Sequence, residues 1–182
     1  MKSMQSDLLE RLSRRRKIYS GKAVGFSADV VSLPDGKRAV REYMEHPGAV
    51  AVIPFVDKHN ILLVEQYRFP VKQVTFEIPA GKLEKGERPL SCVARELEEE
   101  TGYRAKLIKK LCSFWPTPAF SDEVIHIYRA DKLVKAQGPS PDDDEFIKAH
   151  KFPFKKVFDW IRSGKIKDSK TIIAMLAFRC AL

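Results

Sequence analysis

Residues 81–103 read GKLEKGERPLSCVARELEEETGY, and four of the six glutamates in this stretch fall within its last two helical turns. Pro89 suits a first helical turn and Gly102 suits a C-cap, so one helix is predicted between them. Carboxylates three and four residues apart on a helix repel each other by roughly 0.2–0.5 kcal/mol per pair. The helix dipole adds to this, because Glu98, Glu99 and Glu100 sit at its partly negative end, where cations are stabilising. The stretch therefore calls for a positive partner.

At 100° per residue, Leu90, Val93, Ala94 and Leu97 share one stripe, predicted to face a core. Glu96, Glu99 and Glu100 fall together on a different flank, with Glu98 pointing away from both groups. Arg95, four residues before Glu99, can hold that carboxylate in place. A patch of three carboxylates suits a hard divalent cation such as Mg²⁺ or Mn²⁺, which takes oxygen ligands and binds through a few carboxylates plus substrate phosphates.

Outward from this helix, GAVAVIPFV (48–56), ILLVEQYRF (61–69) and VTFEIP (74–79) read as buried central strands. Upstream, residues 17–33 and 37–45 are β-rich segments around the turn Leu33-Pro34-Asp35-Gly36, following a short leading helix. Downstream, 105–114 and 123–130 read as strands joined by the loop WPTPAFSD, and 137–145 as a second loop before the strand FIKAH. Helices are predicted over 154–163 and 169–181, the last with Ile172, Met175, Leu176 and Phe178 inward. The pattern is an α/β (α+β) fold: a mixed central sheet flanked by helices over 47–182, preceded by a small antiparallel sheet over 1–46.

With 182 residues and 44% hydrophobic content the chain can bury a proper core. Three widely spaced cysteines without a CxxC pair suggest neither a disulfide framework nor a zinc site. The N-terminus lacks the apolar core of a signal peptide, and no run approaches the roughly 18 apolar residues of a membrane span, so a cytoplasmic protein with no membrane partner is expected. A net charge of +9 favours anionic partners; its densest run, RLSRRRK at 11–17, reads as a solvated basic arm or a nucleic-acid contact.

Gly81, Glu87, Arg95, Glu96, Leu97, Glu99, Glu100, Gly102 and Tyr103 match the Nudix box, G x5 E x7 R E U x E E x G U with U a bulky apolar residue; only Tyr103 departs from the usual aliphatic ending. Seven fixed positions at about 7% each make a chance match on the order of 1 in 10⁸ windows. The chain thus resembles Nudix hydrolases, which cleave a nucleoside diphosphate linked to another group. The resemblance implies an α/β/α sandwich, metal ligation by Glu96, Glu99, Glu100 and the main-chain carbonyl of Ala80, orientation of a glutamate by Arg95, and support of the loop by Glu87.

Pro118, fifteen residues past Tyr103, is similar to the proline that follows the box in ADP-ribose pyrophosphatases and related nucleoside diphosphate sugar hydrolases. REYMEHPGAVAVIPF, LLVEQYRFP, FEIPAGK and GKIKDSKTIIA also look like that subfamily. By that resemblance Arg41, Glu42 and Arg68 contact the substrate, Glu123 lies near the terminal sugar or the metals, and the acidic loop 142–145 supplies a base, Glu145 preferred with Asp143 or Asp144 as alternatives. It also implies a homodimer formed through the N-terminal sheet. Trp115 and Phe120 are open between stacking on a base and packing in a core or interface, and Cys92 reads as packing beneath the site. The four histidines are scattered singly, and neither a GxSxG elbow nor a P-loop occurs. The function expected is Mg²⁺-dependent hydrolysis of ADP-ribose or other nucleoside diphosphate sugars. The alternatives are another Nudix activity, on dinucleoside polyphosphates, oxidised nucleotides or capped RNA, and a non-catalytic nucleotide- or RNA-binding module.

Overall fold

The computed structural model describes residues 6–136 and 146–180. The chain divides into two compact units, Met1–Pro47 with Trp115–Glu123, and Gly48–Phe114 with Val124–Leu182.

In the first unit the expected leading helix is only a 3₁₀ turn at Ser6–Leu8, followed by an antiparallel sheet of β1 (Arg11–Arg14), β2 (Lys17–Ser20), β3 (Gly25–Ser32) and β4 (Arg38–Glu45). β4 runs along one edge of β3 and β1 and β2 follow one another along the other. The β3–β4 hairpin closes at the predicted turn, where Gly36 takes φ 83° and donates its N–H to the Leu33 carbonyl at 2.9 Å. The basic run is exposed but is no free arm, since it forms β1 and the start of β2. Its bend is organised by Asp29, a buried carboxylate that accepts the Arg16 N–H at 2.7 Å and the Tyr43 hydroxyl at 3.1 Å. The Trp115–Glu123 loop is stitched to β4 and the residue after it: Met44 N–H donates to the Phe120 carbonyl at 2.9 Å, and His46 N–H to Asp122 Oδ1 at 2.8 Å.

The second unit holds β5 (Ala49–Pro54), β6 (Asn60–Arg68), β7 (Gln73–Glu77), β8 (Ala80–Lys82), α1 (Pro89–Thr101), β9 (Tyr103–Phe114), β10 (Ile125–Lys135), β11 (Lys148–Pro153), α2 (Phe154–Arg162) and α3 (Ser169–Cys180). One sheet is mixed, in the order β8-β5-β10-β9 with β10 parallel to β5; the other, β11-β6-β7, is antiparallel. Every residue of β5 is buried. Its alternate side chains serve two cores: Ala51 and Ile53 join Leu63, Ile78, Ile127 and Met175, while Val50 and Val52 join Val93, Leu97 and Tyr128 beneath α1. Covering on both faces explains why GAVAVIPF reads as an unbroken apolar run rather than an alternating one.

Helix α1 starts at Pro89 and stops at Gly102, which takes φ 72° and donates its N–H to the Glu98 carbonyl at 2.8 Å. The buried face differs from the predicted stripe. Val93 and Leu97 are inward, but Leu90 and Ala94 are exposed, and Cys92, Glu100 and Thr101 are buried instead. Polar contacts turn the helix: Cys92 Sγ meets the Lys82 carbonyl at 3.3 Å, and the Ala80 N–H reaches Glu100 Oε2 at 3.1 Å. In α3, Met175 and Phe178 are buried as expected, whereas Leu176, one position and 100° round from Met175, is 48% exposed. Among the described residues no helix is long and apolar enough to cross a membrane.

Candidate active site

Strand β8 pairs with β5 and brings its backbone against the acid flank of α1. The approach at Gly81 is so close that a Cβ there would lie 1.9 Å from Glu96 Cδ and Oε1. Glycine is needed for space rather than for an unusual φ. Glu100 is buried against the Ala80 N–H, and Glu96 and Glu99 face one common charge, because Nη1 of Arg95 lies 2.8 Å from Glu96 Oε1 and 2.8 Å from Glu99 Oε2.

Arg95 is thus a positive partner for the crowded acids from within the chain. Its Nε and Nη2 each donate to Glu87 at 3.1 Å, and Glu87 also accepts the Glu84 N–H at 3.1 Å. Those bonds from Arg95 hold the Glu87 carboxyl down at about 2, and raise the Arg95 guanidinium in turn. Glu98, the acid predicted to point away, pairs with Arg104 at 2.6 Å beyond the helix end. Burial, with the Glu87 carboxylate adding to it, pushes the Cys92 thiol up to about 12, so Cys92 is a neutral packing residue as expected.

Among the described residues no three His, Cys, Asp or Glu side chains are gathered closely enough to hold a metal ion as they stand. The donor chemistry nevertheless fits a hard divalent cation. Two carboxylates already converge on a single cationic nitrogen, a third is buried beside them, and the missing side chain at Gly81 leaves the main chain open to the same patch.

The other predicted residues fall elsewhere. Arg68 is engaged in a bidentate pair with Glu77, at 3.0 and 2.8 Å. Glu77 is buried, which opposes ionisation, yet Arg68 and Lys170 keep its carboxyl below the usual range. Lys170 sits between Glu77 and Asp168 at the start of α3. Glu77, Asp168 and Lys170 carry no role in the sequence analysis above, although all lie in FEIPAGK and GKIKDSKTIIA; an acid within an apolar strand is the signal that marks them.

In the first unit Arg41 pairs with Glu10, and Arg41 and Glu42 line a cleft of about 480 Å³ with Trp115, Pro118 and Phe120. Trp115 is 66% exposed and Phe120 57%, so neither is a core residue of the chain. Glu123 lies 3.6 Å from His46 Nδ1. Glu145, with Asp143 and Asp144, lies outside the described residues.

A family model described as the NUDIX domain matches residues 45–174. The chain belongs to the Nudix family. It is 40% identical over 176 residues to an ADP-ribose pyrophosphatase of Bacillus subtilis (strain 168), covering 96% of this chain and 93% of that one. It is 44% identical over 167 residues, 91% of this chain and 90% of the other, to a Bacillus methanolicus protein named methanol dehydrogenase activator. A GDP-mannose pyrophosphatase of Cronobacter sakazakii is 29% identical over 147 residues, 76% of each chain. A crystal structure of an ADP compounds hydrolase aligns with a TM-score of 0.83 over 100% of this chain and 97% of its own at 21% identity, which shows the shared Nudix fold. The α/β (α+β) Nudix fold expected from the sequence is borne out, and Nudix hydrolases as a family need divalent metal.

Proposed function

We propose that this Nudix protein hydrolyses the diphosphate bond of ADP-ribose and related nucleoside diphosphate sugars with Mg²⁺, Mn²⁺ being a substitute, and releases a nucleoside monophosphate and a sugar phosphate. The observation that carries this reading is the convergence of Glu96 and Glu99 on one cationic nitrogen, beside buried Glu100 and against the side-chain-free backbone of Gly81. The names of the relatives at 40% and 29% identity support the substrate class.

Glu96, Glu99, Glu100 and the Ala80 carbonyl would hold the cations. Bound there, Mg²⁺ would supply neutralisation of phosphate charge and a water more readily deprotonated to a nucleophile. Arg95 keeps the Glu99 carboxylate aimed through its hydrogen bond at 2.8 Å. Arg68, 43% exposed at its side chain, offers its guanidinium to phosphate oxygens. Glu145, or else Asp143 or Asp144, collects the proton of the attacking water. In the first unit Trp115 and Phe120 present open aromatic faces to a base, and Arg41, Glu42 and Glu123 supply polar contacts to the substrate.

A homodimer is supported by exposed apolar side chains on the N-terminal sheet, among them Leu12, Ile18, Tyr19 and Val40, each more than half exposed. A cytoplasmic setting is supported by the three free cysteines. The test of function is kcat/KM with Mg²⁺ across ADP-ribose, ADP-glucose, UDP-glucose, dinucleoside polyphosphates and capped RNA. Preference for the sugar nucleotides is expected, and preference for capped RNA overturns the reading.

A further inference from the structure

The Glu77 carboxylate is buried on β7, yet two cations share it: Arg68 through Nε at 3.0 Å and Nη2 at 2.8 Å, and Lys170 through Nζ, with the Thr75 hydroxyl donating at 2.6 Å. The two cations differ in access, since the Arg68 side chain is 43% exposed and that of Lys170 only 12%. Lys170 also bonds Asp168 Oδ1 at 2.9 Å, but the other oxygen of Asp168 is committed to the start of α3, accepting Thr171 N–H at 2.9 Å and its hydroxyl at 2.5 Å. A carboxylate capping a helix N-terminus is offset only in part, by the roughly half-unit positive end of the helix dipole. Arg68 and Lys170 thus face two carboxylates, Glu77 and Asp168, and the cluster is balanced only while Lys170 is present. The helix start is fixed as well, because Thr171 Oγ1 accepts the Ile78 N–H at 2.9 Å, directly after Glu77.

We propose that Lys170 is a positioning residue for anion binding: by sharing the Glu77 carboxylate, it leaves the charge and fork of Arg68 available to the diphosphate of the substrate. This rests on the role proposed above for Arg68. Without Lys170 the buried carboxylate takes the whole charge of Arg68, and the pair becomes neutral towards a phosphate. Lys170 itself touches no substrate.

The test uses the full chain as wild type, Lys170→Met, Lys170→Arg, Glu77→Gln and the double variant Glu77→Gln/Lys170→Met. KM and kcat are measured for ADP-ribose with Mg²⁺, and the dissociation constant for inorganic pyrophosphate is measured by calorimetry without metal. Lys170→Met is expected to raise both KM and the pyrophosphate constant roughly tenfold while kcat stays within about threefold, and Lys170→Arg is expected to restore both. In the Glu77→Gln background only the helix-capping Asp168 is left for Lys170 to offset, so adding Lys170→Met shifts each constant by less than about threefold. That comparison also decides the matter if Lys170→Met alone fails to fold. Wild-type constants in folded Lys170→Met, or a further loss of affinity of more than about threefold between Glu77→Gln and the double variant, overturn the proposal. A wild type that leaves ADP-ribose intact refutes the proposed function, while the pyrophosphate constants still decide the role of Lys170.

Discussion

Replacing Gly81 by alanine isolates the close approach on which the site depends. The added Cβ would sit 1.9 Å from the Glu96 carboxyl carbon, against about 3.4 Å for an ordinary contact, so that carboxylate must retreat by about 1.5 Å. Because the clashing atoms end a flexible side chain, and Gly81 needs no positive φ, the fold absorbs the change. Its cost in stability is offset by the roughly 0.4–1 kcal/mol that Gly→Ala gains through the unfolded chain. Activity has no such escape, since a displacement of about 1 Å at a reacting centre can cost on the order of 10²-fold. The assay is kcat on ADP-ribose at saturating Mg²⁺ beside a thermal melt. A Tm within a few degrees of wild type with kcat reduced about 10²-fold is expected; kcat within about threefold of wild type shows that the site does not depend on this approach.

Glu99→Gln and Glu100→Gln should each lower kcat by on the order of 10²-fold, with little change in Tm because a glutamine oxygen can still accept the hydrogen bonds; near-wild-type turnover in both removes the metal assignment. The folded-state pKa of Glu87, about 2, lies below its ordinary 4.5, so its pairing with Arg95 contributes stability fully above about pH 4.5 and loses it as pH falls towards 2. The Tm gap between wild type and Glu87→Gln should accordingly narrow across that window, and a constant gap contradicts the pairing. Trp115→Ala should raise KM for ADP-ribose about tenfold, as loss of a stacking face does, while Tm stays put because the side chain is 66% exposed; an unchanged KM excludes stacking.

Much of this was legible in the chain because local rules and tertiary packing agree. Pro89 and Gly102 bound α1 where their backbone preferences place them, and the apolar run from Ala49 to Pro54 is buried on both faces. The acid flank was readable from spacing alone, but the burial of Glu100 was not, because the attraction comes from the Ala80 backbone, twenty residues away in sequence. The same cause displaced the predicted stripe: a wheel ranks side chains by polarity and gives no weight to a partner on another strand. Glu77 and Lys170 escaped notice for a related reason. They lie 93 residues apart, and only the fold joins them. The basic run reads as a solvated arm because its anchor, Asp29 on β3, is reached through the main chain of Arg16 and the side chain of Arg15, contacts that only the fold makes.

In the function proposed here the Glu96, Glu99 and Glu100 patch works through a divalent cation on a nucleoside diphosphate sugar. AMP formation from ADP-ribose, followed in chelator and then with stepwise addition of Mg²⁺, separates this chemistry from metal-free hydrolysis. No turnover in chelator and saturable recovery with Mg²⁺ are expected, and turnover in chelator equal to that in Mg²⁺ overturns the metal role.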